Sequence, residues 1–105
     1  GIRRPDWRRT LSIGPEAMVF GTVGLLQPEK GHDLLIAALD RLVREGIDAH
    51  VVIGGAGFLE ETHRVDIQAR GLMGRVHLLG YQHDIPALLR EYDVFVMPSR
   101  REGLG

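Results

Sequence analysis

The sequence is marked first by what it lacks. None of its 105 residues is a cysteine, which excludes a disulfide framework and a thiolate zinc site and fits a reducing compartment. Its formal net charge is −1, whereas non-specific nucleic-acid binding normally needs a basic surplus. No apolar run approaches the roughly 20 residues that span a bilayer, and no signal-peptide pattern opens the chain. We therefore expect a cytoplasmic globular domain without a nucleic-acid partner.

Common catalytic and metal-binding patterns are missing as well. The sequence has neither His-Glu-x-x-His nor Asp-x-Asp, and Ser99 is not part of a Gly-x-Ser-x-Gly elbow. The five histidines show no metal-ligand spacing. We interpret them as surface or edge residues, with His32 bordering a helix, and we expect no metal.

Short apolar runs alternate with amphipathic segments along the chain. Their β-branched and aromatic residues predict buried strands at residues 19–26, 49–53, 76–79 and 94–97. Helical periodicity and glycines at helix ends predict helices at residues 32–45, 59–70 and 85–92. Such alternation, with strands too apolar to expose a face, indicates an α/β fold: a Rossmann-like, doubly wound parallel sheet of about four strands.

The chain divides at about residue 14. Residues 1–14 are interpreted as a lead-in or linker with a short helix, in which Trp7 packs and a solvated basic cluster comprises Arg3, Arg4, Arg8 and Arg9. Residues 15–105 are interpreted as one partial Rossmann-like domain. Within its helices we expect Asp40 to face outward and Val65 and Ala69 to face the core.

Topology predicts where a ligand binds. In the common doubly wound order the first and fourth strands are neighbours, and ligands bind outside their carboxyl ends. The loops at residues 27–31 and 98–105 would meet there, which brings Lys30 and Glu102 to one rim. Each also has a plainer interpretation, Lys30 as an exposed turn lysine and Glu102 as a charged loop residue. The residue pattern alone leaves both interpretations open.

A glycine-rich turn follows the second predicted strand. Gly54-Gly55-Ala56-Gly57 precedes a predicted helix and resembles part of a dinucleotide fingerprint, but Glu60 occupies the third glycine position. The partial match favours a tight turn close to a nucleotide.

Five sequence blocks, in order, resemble one family. They lie at residues 24–33 (Gly-Leu-Leu-Gln-Pro-Glu-Lys-Gly-His-Asp), 52–57 (Val-Ile-Gly-Gly-Ala-Gly), 76–81 (Val-His-Leu-Leu-Gly-Tyr), 84–89 (Asp-Ile-Pro-Ala-Leu-Leu) and 93–105. In this the chain is similar to the GT-B retaining glycosyltransferases of group 1, which transfer a sugar from a nucleotide diphosphate sugar to an acceptor. The resemblance implies part of the C-terminal, donor-binding domain of such an enzyme.

The resemblance also implies roles for individual residues. Glu102 would be the catalytic-site carboxylate that contacts donor-sugar hydroxyls. The donor-binding residues implied are Lys30 and Gly31 at the diphosphate, Gly80 and Tyr81 near the base, and the backbone of Gly103, Leu104 and Gly105 against sugar and phosphates. Fixed cations and helix-end amides would stabilise the departing diphosphate, so the nucleotide sugar is a substrate and no cofactor or metal is expected.

Two departures from the family pattern bear on activity. The family usually has arginine after the glycine that corresponds to Gly24, whereas this chain has Leu25. The second glutamate of the family's Glu-x7-Glu pair, which would hold the ribose, falls beyond Gly105. We expect the isolated chain not to transfer sugar. The alternative hypothesis is a non-catalytic nucleotide-sugar-binding or regulatory domain, which Leu25 favours.

Several partner hypotheses accompany this prediction. The expected partners are the nucleotide-sugar donor and an N-terminal acceptor-binding domain of the parent protein, which is missing here. Peripheral association of the parent with a membrane, and self-association through an exposed sheet edge, are two further hypotheses. A generic doubly wound signalling domain is disfavoured, because Leu25-Leu26-Gln27 supplies no acidic cluster after the first strand.

Overall fold

The computed structural model describes residues 6–24, 31–57 and 59–97. Within them, helices and strands alternate in the order α1 (Trp7–Thr10), β1 (Met18–Val23), α2 (His32–Arg44), β2 (Ala49–Gly54), α3 (Glu60–Ala69), β3 (Val76–Gly80), α4 (Ile85–Leu89) and β4 (Val94–Phe95). Helices within these ranges lack the combination of length and apolar character that crossing a membrane requires. The predicted α/β alternation is confirmed.

The four strands form one parallel sheet in the order β3-β2-β1-β4. The chain therefore moves outward from β1 to β3 and then returns to place β4 on the other side of β1. This reversal is the switch point of a doubly wound sheet, so the predicted neighbourhood of the first and fourth strands is confirmed. Successive parallel strands need crossover connections, which α2, α3 and α4 supply.

Two apolar clusters cover the two faces of the sheet. On one face, Leu35, Ile36 and Leu39 of α2 and Ile67 of α3 pack on alternate residues of β2. On the other face, a second cluster joins the α1 region and α4 to the sheet: Ile13, Ala17, Val19, Val52 and Leu88, with Trp7 and Leu11 packed against them. Because every residue of β2 is buried, this strand has the continuous apolar sequence typical of the centre of a parallel sheet.

The helix ends follow local sequence signals. Gly46 and Gly71 have positive φ angles of 84° and 72° just after α2 and α3, where a left-handed residue closes a helix. Asp84 caps α4 by accepting a hydrogen bond of 3.1 Å from the Ala87 amide, and Pro86 occupies the first turn. These predicted boundaries are therefore confirmed to within a few residues.

The predicted orientation is wrong for Asp40 of α2 and for Val65 and Ala69 of α3. In α3 the buried residues are His63 and Ile67, whereas Val65 and Ala69 are exposed. Asp40 of α2 is buried between helices, where it accepts hydrogen bonds from Arg44 and from Arg70 at 3.0 and 2.8 Å. Arg44 and then Arg70 lower the pKa of Asp40, and the Arg70 bond ties the end of α3 to the middle of α2.

The lead-in is attached to the sheet. Trp7 packs as predicted, but Arg8 is not part of a solvated cluster, because its guanidinium donates to Gly14 and Ala17 carbonyl oxygens at 3.0 and 3.1 Å. It also donates to Asp93 Oδ2 at 2.9 Å. The same carboxylate oxygen accepts the Val19 amide at 2.7 Å, so Asp93 joins α1, β1 and the start of β4.

Strand β4, at one edge of the sheet, is less buried than predicted. Val94 and Phe95 are 40% and 46% exposed, although their sequence is that of a buried strand. The reason is position: β4 pairs with β1 on one side only, and its other backbone edge has no strand partner in the described part of the chain. At the opposite edge, β3 is also only partly buried.

Candidate functional site

A cleft of about 480 Å³ lies at the carboxyl ends of β1, β2 and β3. Its lining comes from the ends of β1 and β2, the turns that follow β1, β2 and β3, and the start of α4: Val23, Gly24, Gly54, Gly55, Ala56, Tyr81, Gln82, His83 and Ile85. This is the edge at which parallel α/β sheets bind ligands, and the volume suits a small molecule.

Three strand ends meet at the floor of the cleft through glycine backbone. The Gly24 amide donates to the Gly54 carbonyl at 2.9 Å, and the Gly55 amide donates to the Gly80 carbonyl at 2.7 Å. Gly55 has φ +146°, and a Cβ atom added there would overlap the Gly24 carbonyl oxygen. Only glycine allows these two turns to lie so close together, so the floor presents backbone instead of side chains.

Aromatic rings form one wall of the cleft. Tyr81 is 74% exposed, and its ring meets the His83 ring at right angles with centroids 5.1 Å apart. The turn that carries them is held by Gln82, whose side-chain amide donates to the Leu79 carbonyl at 3.1 Å, and by the Asp84 cap of α4. An exposed ring beside apolar Val23 and Ile85 offers a flat surface for a planar ligand group.

The start of α2 lies at the same edge of the sheet, because this helix follows β1. Gly31 adopts a left-handed conformation with φ 68° and precedes the first helical residue, His32. The buried His32 ring packs edge-on against the His63 ring, with centroids 6.0 Å apart. Burial lowers the pKa of His63, so this imidazole is neutral near pH 7. His32 borders a helix as predicted, but the interpretation of His63 as a surface or edge residue is wrong.

The predicted site residues fall into three groups. Gly80 and Tyr81 lie at the cleft, Tyr81 in its wall and Gly80 in its floor through the bond to Gly55. Gly31 opens α2. The others lie outside the described residues: Lys30, Glu102, Gly103, Leu104 and Gly105. Their roles stay predictions.

Sequence reasoning missed the pairing of Gly24 with Gly55, as well as His83 and Ile85 as lining residues. A signal for the glycine pair existed, since each glycine directly follows an apolar strand. The interpretation of the partial dinucleotide fingerprint as a tight turn agrees with the structure, which places Gly54 and Gly55 at the cleft.

Comparison with known proteins decides the family. The family profile described as glycosyl transferases group 1 matches residues 3–105. The chain belongs to this family. This group 1 chain is 35% identical to the alpha-D-kanosaminyltransferase of Streptomyces kanamyceticus over 98% of its own length. It is 33% identical, over 91% of its length, to an Escherichia coli UDP-Gal:alpha-D-GlcNAc-diphosphoundecaprenol alpha-1,3-galactosyltransferase.

Solved structures share the fold of this chain. The chain superposes on the C-terminal domain of the group 1 protein LpcC from Francisella tularensis with a TM-score of 0.77 and 21% identity, covering all of this chain and 57% of that one. It superposes on S. aureus TarM with a TM-score of 0.74 and 25% identity, covering 77% of this chain and 16% of that one. The chain spans only about a quarter of the length of the two curated relatives.

Proposed function

We propose that this chain is the donor-binding part of a retaining glycosyltransferase, which transfers a sugar from a nucleotide diphosphate sugar to an acceptor. The observation that carries the proposal is the cleft at the carboxyl ends of β1–β3, with its floor of glycine backbone and its aromatic wall. A nucleotide needs such a surface, because its base stacks on an exposed ring while its phosphates require close approach to backbone amides.

The proposed roles of individual residues follow the family resemblance. Tyr81 stacks on or borders the base, and the Gly80 turn holds it there. Lys30 and Gly31 contact the diphosphate at the start of α2. Glu102 contacts hydroxyls of the donor sugar, and the backbone at residues 103–105 lies against sugar and phosphate. These positions are assigned from the family resemblance, since most of them lie outside the described residues.

The chemistry is one of charge stabilisation. The bond between the anomeric carbon and the diphosphate oxygen breaks, and the leaving diphosphate gains negative charge. Lys30 and amide donors at the start of α2 would stabilise that charge, with no metal required. In retention the acceptor oxygen attacks the face that the diphosphate leaves, and the diphosphate takes the acceptor proton. Glu102 orients the sugar in this scheme.

Uridine diphosphate is the first donor nucleotide to test. TarM was solved in complex with UDP, and the E. coli relative carries UDP-Gal in its name. The names of the curated relatives give different sugars, so the similarity is a better guide to the base of the donor nucleotide than to the donor sugar. We place the parent protein in the cytoplasm and assign it an N-terminal acceptor-binding domain; both remain predictions.

Nucleotide binding by the 105-residue chain tests the proposal. Titration with UDP, GDP and ADP should shift the amide resonances of Gly24, Gly55 and Tyr81 with at least one nucleotide, without any sugar transfer by the chain alone. Tyr81→Ala should weaken that binding about tenfold or more, because base stacking on an aromatic ring contributes roughly 1–3 kcal/mol. Met73→Ala is the control, since Met73 is similarly exposed but lies away from the cleft. Unshifted resonances with all three nucleotides would contradict the proposal.

Leu25 supports a second candidate function, a nucleotide-sugar-binding domain without catalysis. Where the family usually has a diphosphate-contacting arginine, leucine supplies no charge. Leu25→Arg should tighten UDP binding several-fold relative to uridine, because the family resemblance implies that an arginine at this position contacts the diphosphate and not the base. Calorimetry with both ligands measures this. Equal gains for uridine and UDP would show that the side chain does not act on the phosphates.

A further inference from the structure

A chain of hydrogen bonds joins the amino ends of β2 and β3, on the opposite edge of the sheet from the cleft. His50 is the second residue of β2, and His77 is the second residue of β3. Their rings meet with His50 Nδ1 3.0 Å from His77 Nε2. Arg75, which precedes β3, donates from Nη1 to His50 Nε2 at 3.3 Å. His50 is buried and His77 is half-buried, so water does not readily replace these bonds.

The two rings meet edge to edge. Their planes are inclined by only 13°, and their centroids are 5.3 Å apart. That separation equals the 3.0 Å nitrogen distance plus one ring radius on each side, so the two nitrogens lie close to the line between the centroids. This is the geometry of an in-plane N–H···N hydrogen bond. Face-to-face stacking would bring the centroids much closer together.

Arg75 determines the tautomers of both imidazoles. A guanidinium only donates, so His50 Nε2 facing Arg75 carries a lone pair. In neutral His50 the proton is then on Nδ1 and is donated to His77 Nε2, which also carries a lone pair. The proton of His77 is therefore on its Nδ1. A proton added at His50 Nε2 would meet the Arg75 guanidinium, and one added at His77 Nε2 would meet the His50 N–H group.

We propose that Arg75, His50 and His77 form a proton-sensitive latch, which holds edge strand β3 on β2 while both imidazoles are neutral and releases it when either takes up a proton. The other end of β3 carries Gly80 and Tyr81, so release would also withdraw the aromatic wall of the cleft. The inference does not depend on the proposed function, because it concerns the attachment of a strand.

Charged groups around the latch come from three parts of the fold. Arg75 forms an ion pair with Asp48, which precedes β2, and Asp48 lies 3.8 Å from His50 Nε2. Arg8, itself bonded to Asp93, acts on His50 from α1. Asp48 favours protonation of His50, whereas Arg75 and Arg8 oppose it. The cations and burial together outweigh the single carboxylate.

The pH window follows from the pKa values of both imidazoles. Burial, with a smaller contribution from His50, lowers the pKa of His77 from 6.5 to about 4. Burial and then Arg75 lower the pKa of His50. As the pH falls below 6.5, the two imidazoles take up protons in the unfolded chain but not in the folded chain. The stability that the neutral imidazoles contribute is therefore fully present above pH 6.5 and is lost progressively toward pH 4.

The first test is nitrogen NMR of the wild-type histidine side chains at pH 7.5. We expect both His50 and His77 as the Nδ1–H tautomer, the less common neutral form, with exposed His83 as an internal reference. An Nε2–H tautomer or an imidazolium at either position would overturn the latch. The measurement needs no variant, so it holds even if substitution prevents folding.

The second test is hydrogen exchange at pH 7.5 and 5.5, corrected for the intrinsic pH dependence of exchange. The Val51 amide, which donates to the Arg75 carbonyl between the two strands, should open at least about tenfold more often at pH 5.5, since one pH unit below 6.5 costs about one decade for His77 alone and the lowered pKa of His50 adds to it. His50→Leu combined with His77→Leu should remove most of that change. His63→Leu and His83→Leu are the controls and should retain it. A double variant with the wild-type pH response would overturn the proposal.

Discussion

Gly55→Ala is expected to lower the free energy of unfolding by roughly 2–6 kcal/mol, which combines about 1–3 kcal/mol for backbone strain with about 1–3 kcal/mol for overpacking. Gly55 has φ +146°, a conformation that side chains oppose, and its added Cβ would overlap the Gly24 carbonyl oxygen. Backbone cannot move aside as a flexible side chain can. The variant should therefore lose both stability and the cleft floor, measured by urea denaturation and by UDP titration.

Two other glycines separate the contributions. Gly71 also has a positive φ, +72°, but a Cβ atom there would meet nothing within 4 Å, so Gly71→Ala should show strain alone, about 1 kcal/mol. Gly74 has open space and no positive φ, so Gly74→Ala should be nearly neutral. If Gly55→Ala were no more destabilising than Gly71→Ala, the close contact of the two turns would be refuted.

Gly21→Ala is the second substitution with a large expected effect, roughly 2–4 kcal/mol from overpacking and a strained hydrogen bond. The Tyr92 ring lies directly on Gly21, and its hydroxyl donates to the Thr22 carbonyl at 3.0 Å. Because this bond and burial hold the ring in place, an added methyl group on β1 forces Tyr92 outward. The same burial raises the pKa of Tyr92, so the hydroxyl stays a donor throughout the accessible pH range.

A double-mutant cycle tests this contact. In a Tyr92→Leu background, Gly21→Ala should cost less than about 1 kcal/mol, because the ring that it displaces is gone. Tyr92→Phe is the matched control: it keeps the ring and removes only the hydroxyl, for about 1 kcal/mol. Equal costs of Gly21→Ala in the wild-type and Tyr92→Leu backgrounds would mean that the ring does not constrain Gly21.

The sheet could be predicted from the sequence because its strands are continuous apolar runs bounded by glycine and proline. The helix faces were harder. In α3 the inward residues are His63 and Ile67. Because histidine is counted as polar, the apolar periodicity of this helix predicts Val65 and Ala69 as the inward residues instead. Asp40 is buried because Arg70, thirty residues away in the sequence, neutralises its charge. Helical periodicity cannot predict a partner so distant in the sequence.

The candidate site could be located but not built from the sequence. The strand order places it, and the family blocks point to Gly80 and Tyr81. The contact between Gly24 and Gly55 depends on how two turns approach across the sheet, which local sequence does not encode. The pairing of His50 with His77 could not be predicted from the sequence either, since their hydrogen bond depends on the register between β2 and β3.

The carboxylate of Asp93 has a consequence for the order of folding during synthesis. This carboxylate accepts a hydrogen bond from the Val19 amide, and the backbone amide of Asp93 donates to the Val19 carbonyl at 2.8 Å. Strand β1 leaves the ribosome before β4 and stays incomplete on this side until residue 93 has followed, 74 residues later. Long-range pairing of this kind folds slowly, so a nascent chain halted before Asp93 would present an open, apolar β1 edge to chaperones.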